Sequence, residues 1–244
     1  MASTPVGARR RALLSVTDKT RLEEIGRALH GHGFELVASG GTAGHLREHD
    51  VPVTGVSELT GYPEIFGGRV KTLHPVIHGG ILGPTHESFA ETEALGIAPI
   101  DVVVVNLYRF AEAVAEGADD AGAVEKIDIG GPTLLRAAAK NFDRVTVVSD
   151  PVHYDELIAE LKAGGGETSR GFRRRMAAAT FRRAEHYHAA IADWFTGGGP
   201  VELRYGENPH QTASLHLPPS TDPDHPLGGV GLVQHGGKEL SYNN

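Results

Sequence analysis

The chain has 244 residues, 40% of them hydrophobic and 22% charged, enough for one large domain or one domain with an appendage. Its 31 Asp and Glu outnumber its 23 Lys and Arg, a formal charge of -8 that repels polyphosphate backbones and makes nucleic acid an unexpected partner. Cysteine is absent, which excludes disulfides, thiolate metal sites and thiol nucleophiles; no apolar run approaches the roughly eighteen residues of a membrane span, so the expected setting is the cytoplasm, with no membrane partner.

In chain order, residues 12–16, 34–39, 51–56, 100–106 and 144–149 are short segments rich in β-branched or apolar side chains and predict five strands. Helical patterns lie between them, clearest over 18–32, where Leu22, Ile25 and Leu29 share one face and Gly33 closes the C-terminus. The alternation predicts a three-layer α/β domain with a mostly parallel five-stranded sheet, and the uniformly apolar run 102–105 predicts a strand covered on both faces. Residues 151–163 and 167–195 read as helices that complete a first domain over 1–199. Gly197-Gly198-Gly199-Pro200 breaks the pattern, and 200–244 reads as a short, incomplete second domain, near the lower size limit for an independent core.

In parallel sheets ligands bind beyond the carboxyl ends of the strands, so those loops carry the candidate chemistry. Thr17-Asp18-Lys19, after the first strand, reads either as a helix N-cap or, with its hydroxyl, ammonium and helix N–H groups, as an anion site. Ser39-Gly40-Gly41-Thr42, after the second, lets backbone N–H groups approach a phosphate, or is a tight turn. In Gly67-Gly68-Arg69-Val70-Lys71-Thr72-Leu73-His74-Pro75, Arg69 and Lys71 can face one anion from an irregular, Gly-flanked segment; a solvated basic turn is the plainer alternative. His74 and His78 stand four apart, but Pro75 between them and the lack of a nearby acidic ligand argue against zinc, and no metal site is expected.

Asn106-Leu107-Tyr108 emerges at the end of the fourth strand. Asp128-Ile129-Gly130-Gly131-Pro132 then enters a helix, Asp128 suiting its positive N-terminus and Lys140 its last turn. The stretch holding Arg170, Arg173, Arg174, Arg175, Arg182 and Arg183 reads as a solvated helix face.

Together and in this order, SVTDKT, VASGGT, GGRVKTLHP, VVNLY, IDIGGPTLLRAAAKN and RYGENPHQ resemble the N-terminal portion of the PurH family, bifunctional enzymes of purine biosynthesis. The resemblance implies a methylglyoxal-synthase-like fold and an IMP cyclohydrolase that closes the ring of a formylated aminoimidazole carboxamide ribonucleotide, with no cofactor and as a homodimer. It implies that Thr17, Asp18, Lys19, Ser39, Gly40, Gly41, Thr42, Arg69, Val70, Lys71, Thr72, Asn106, Leu107, Asp128 and Ile129 hold this small-molecule ribonucleotide. It places Lys71, Tyr108, Asp128 and Lys140 at the positions associated with catalysis. Arg204 and Tyr205 resemble substrate-binding residues of the family's transformylase domain, whose co-substrate is 10-formyltetrahydrofolate; that domain is expected to be incomplete here. The chain departs from the family pattern at Arg109, where Pro is usual, and at His188, where Asp is common. A nucleotide-sensing regulatory module of the same fold and an inactive fragment are the alternatives at this level.

Overall fold

A computed structural model describes residues 10–197, together with the backbone of two short strands beyond them. Five strands, β1 (Arg10–Ser15), β2 (Phe34–Ala38), β3 (Thr54–Gly55), β4 (Val102–Val105) and β5 (Thr146–Val148), form one sheet in the order β3-β2-β1-β4-β5. Every neighbouring pair in it is parallel. Val102, Val103, Val104 and Val105 are each at most 1% exposed; since alternate residues face opposite sides, the sheet is covered on both faces.

Helix α1 (Leu22–Gly31) buries Leu22, Ile25 and Leu29 completely, the apolar face that its periodicity marks, and packs on β2. It starts four residues later than expected. Neither Thr17 nor Asp18 caps it: the residue before it, Arg21, is in the left-handed region, and residues 17–20 form a loop. The reason is tertiary. The Thr17 and Asp18 N–H groups both donate to Asn106 Oδ1, at 2.6 and 3.0 Å, and Asn106 Nδ2 returns a bond to the Asp18 carbonyl at 2.8 Å, so the loop is held to the end of β4 rather than wound into the helix.

Helices α2 (Gly40–Glu48) and α3 (Val56–Thr60) follow β2 and β3. Helix α4 (Pro75–Leu82) begins with His74 as its cap, Nδ1 accepting from Val76 N–H at 3.2 Å. Further along come α5 (Phe110–Ala115), α6 (Asp120–Glu125), α7 (Gly130–Lys140), α8 (Tyr154–Ala163) and α9 (Arg170–Thr196). α7 packs on α4, β4 and β5. Several Arg residues of α9 are tied locally: Arg170 to Asp143 at 2.7 Å, Arg175 to Glu156 and Arg183 to Asp150. No helix among the described residues is long and apolar enough to cross a membrane.

The described residues fall into two compact units, one running to Arg109 and resuming at Asp119–Ala184, the other made of Phe110–Ala118 and the residues from Glu185 onward. The first holds the parallel sheet. In the second, Phe110 meets the edge of the Trp194 ring at 5.8 Å, and β6 (Val201–Leu203) pairs antiparallel with β7 (Ala213–Leu215). Arg204 and Tyr205 lie outside the described residues.

Candidate active site

The strand-end loops of β1, β2 and β4 meet at the carboxyl edge of the sheet because the three strands are adjacent and parallel. Hydroxyl contacts lock them together. Ser15 Oγ and Ser39 Oγ are 2.9 Å apart, while Thr42 Oγ1 accepts from Val16 N–H at 3.0 Å and donates to the Val16 carbonyl at 3.2 Å. The cleft above them has a volume of about 520 Å³, within the usual range for a small-molecule site.

One wall is anion-seeking. Ser39 precedes the first turn of α2, whose N–H groups have no acceptor within the helix, and Gly41 lines the cleft with open space where a Cβ would stand. Thr17 and Lys19 face it from the β1 loop. Opposite lies the Gly67-to-Thr72 segment, an irregular excursion pinched by reciprocal backbone bonds between Ile65 and Val70. Phe66, Gly67 and Gly68 all have positive φ there, and this tight reversal aims Arg69, Lys71 and Thr72 at the cleft.

The far end is built by the entry to α7. Asp128 Oδ1 accepts from Gly131 N–H at 2.8 Å, and the Tyr108 N–H also bonds the carboxylate. Burial nonetheless raises the pKa of Asp128 above the ordinary carboxylate value, against these bonds and the nearby Lys71 charge. The glycines are a packing requirement: a Cβ on Gly130 would stand 2.6 Å from Thr72 Oγ1, and one on Gly131 would stand 2.4 Å from Asp128 Oδ2 and 2.8 Å from Leu107 Cδ2. The result is a carboxylate partly withdrawn from water beside an ammonium group, with a phenol, Tyr108, on the same cleft.

Of the residues singled out from the sequence, Thr17, Lys19, Ser39, Gly41, Thr42, Arg69, Lys71, Thr72, Asn106, Tyr108, Asp128 and Ile129 line this one cleft. Asp18, Gly40, Val70 and Leu107 do not line it, though each is next in sequence to a residue that does: Asp18 pairs with Arg109 at 3.1 Å, and Leu107 is buried beneath Gly131. Lys140 is elsewhere. It lines a separate groove of about 810 Å³ with His74, His78, Arg136 and Phe181, at the far end of α7 from Asp128. The eleven residues of α7 span about 15 Å, beyond the reach of one lysine side chain to the cleft. The sequence reading missed Val124, Glu125 and Ile127, which complete the wall beside Arg69. Glu125 ion-pairs with Arg69 across 56 residues of chain, and no local pattern announces such a contact.

Two family models match the chain: the MGS-like domain over residues 21–133 and the AICARFT/IMPCHase bienzyme over residues 138–244. Fold and cleft together define an MGS-like α/β domain with a cleft at the carboxyl ends of its strands. The Bifunctional purine biosynthesis protein PurH of Dinoroseobacter shibae is 48% identical over 96% of this chain and 47% of its own length; that of Ruegeria pomeroyi is 47% identical over the same shares. The crystal structure of ForH superposes with a TM-score of 0.69 at 37% identity, covering 78% of this chain and all of that one. The chain belongs to the PurH family, and it spans about half the length of the curated relatives it matches.

Proposed function

We propose that this chain is an IMP cyclohydrolase: it closes 5-formamidoimidazole-4-carboxamide ribonucleotide to inosine monophosphate with loss of water. The observation that carries the reading is the meeting, in one cleft, of anion-seeking loops with Lys71, Tyr108 and a half-buried Asp128. The phosphate and ribose lie along Thr17, Lys19, the Ser39-to-Thr42 turn and Arg69. The carboxamide nitrogen attacks the formyl carbon of the same molecule, so holding both groups in contact is itself a large part of the rate.

An amide nitrogen is a weak nucleophile, and its attack builds negative charge on the formyl oxygen. Asp128, its pKa raised by burial, accepts the carboxamide proton. Lys71, with backbone N–H groups, meets the oxyanion. Tyr108 assists proton delivery as the hydroxyl leaves with the second nitrogen proton, giving water and the closed ring. Lys140 shares in that delivery only if it is brought to the cleft from its groove. Ring closure on this scheme uses no cofactor; 10-formyltetrahydrofolate belongs to the formyl transfer carried out by longer relatives. The setting is cytoplasmic and the assembly a homodimer.

The test is to supply the purified chain with the formylated ribonucleotide, without folate, and follow inosine monophosphate. Product that disappears in Lys71→Ala supports the enzyme. Tight binding of the nucleotide without turnover identifies a sensing module instead.

A further inference from the structure

We propose that Glu23, His45 and His49 form a binding site for a late first-row divalent metal ion such as Zn2+, joining α1 to α2 outside the catalytic cleft. One ligand atom from each residue lies within 4.8 Å of the other two. His45 Nε2 and Glu23 Oε2 are 3.3 Å apart, about the separation of two ligands sharing one tetrahedral ion at bond lengths near 2.0–2.1 Å. His45 and His49 stand four apart on α2, and their rings stack with centroids 4.2 Å apart at 27°. Binding replaces the direct contact between His45 Nε2 and Glu23 Oε2 with bonds from both to the metal.

The outer contacts also suit a metal. His49 Nδ1 is 2.8 Å from the His45 carbonyl, so this nitrogen carries the proton and Nε2 keeps its lone pair free, the arrangement that metal-bound imidazoles require. All three side chains are only partly buried, which leaves a path for the ion and room for a water at the fourth position. Two imidazoles and one carboxylate select Zn2+, Co2+ or Ni2+ over Mg2+ or Ca2+, which prefer oxygen ligands. The expectation that the chain has no metal site was drawn from His74 and His78; His74 Nδ1 is occupied in capping α4, and that pair is a separate place.

The ion would act as a staple. Glu23 lies in the first turn of α1, just after Thr17 and Lys19, while α2 begins at the Ser39-to-Thr42 turn, so the two helices carry two of the loops that build the cleft. Calorimetric titration of the tag-free chain with ZnCl2 is expected to show one saturable site, and Co2+ is expected to give the visible absorption of a four-coordinate complex. His45→Gln and His49→Gln should each weaken zinc by roughly ten-fold or more, and the double variant should abolish the site, while His78→Gln leaves it unchanged. The proposal is overturned if the parent chain gives no saturable zinc binding and no such cobalt spectrum. It is equally overturned if the double variant binds as the parent does, or if His78→Gln is the substitution that removes binding. Melting curves in EDTA establish that each variant is folded, and the parent's cobalt spectrum decides the matter without any variant.

Discussion

At Asp128 a single carboxylate serves two ends that pull against each other. Its Oδ1 accepts the Gly131 N–H at the head of α7, yet burial raises its pKa, so the folded protein holds its proton more tightly than the unfolded chain does. The stability linked to that proton is complete below the unfolded Asp value and is lost as pH rises through the folded one. Asp128→Asn has no such proton, so the gap in melting temperature, parent minus variant, is expected to widen as pH falls from neutrality. Turnover should fall about 100-fold or more, the usual contribution of a general base, and the acid limb of the parent's pH–rate profile should disappear. A variant that keeps that limb would give it to another group. The neighbouring Arg69 faces a competitor: it is paired with Glu125, and an anionic substrate must displace that partner. Steady-state kinetics of Glu125→Gln should show KM lowered about two- to five-fold, as befits an exposed ion pair, with kcat unchanged.

The strands were the most legible elements, because a parallel sheet buried on both faces demands uninterrupted apolar runs such as Val102 to Val105. The edge strand β3 shrank to Thr54–Gly55, since residues 51–53 pair with nothing in the sheet and the chain turns at once into α3. What the sequence hid were contacts between distant segments: Asn106 overriding the helix start at Asp18, Glu125 reaching Arg69, and the clasp made by Arg144. Arg144 reads locally as the polar first residue of a strand. In the structure its side chain, 7% exposed, donates to the carbonyls of Gly80, Ile81 and Gly83 at the end of α4, to that of Ile100, and to Asp101 at 2.8 Å. Those carbonyls have no helical partner, and Asp101, whose pKa is raised chiefly by burial, has Arg144 as its close cation. Arg144→Ala takes the close guanidinium from the buried Asp101, leaving it His86 at 3.3 Å, and removes one donor each from the Gly80, Ile81 and Gly83 carbonyls, which keep bonds from the Ile100 N–H and Asn141 Nδ2. Urea denaturation is expected to show a loss of about 3–5 kcal/mol, larger than that from any exposed Arg on α9.

For the whole molecule, the position of Lys140 separates two ways in which the proposed reaction could be organised. Every residue lining the cleft belongs to the unit that carries the parallel sheet, so the walls, Lys71, Tyr108 and Asp128 are supplied by one chain. The resemblance nevertheless puts Lys140 among the reacting groups, while α7, about 15 Å long, carries it at the end far from Asp128, in a groove of its own. If a single chain is sufficient, turnover per chain does not depend on protein concentration, because dissociating a homodimer removes no wall and no proton donor. If a second copy must deliver or reposition Lys140, turnover per chain collapses at the dilution where the dimer separates. The geometry favours the first: a dilution series followed by both sedimentation and product formation is expected to give constant specific activity across the dissociation. On the same grounds Lys140→Ala should retain turnover within a few-fold of the parent. A drop in specific activity that tracks dissociation and is already present in undiluted Lys140→Ala would show instead that the site is completed between chains, and would return Lys140 to the proton-transfer step.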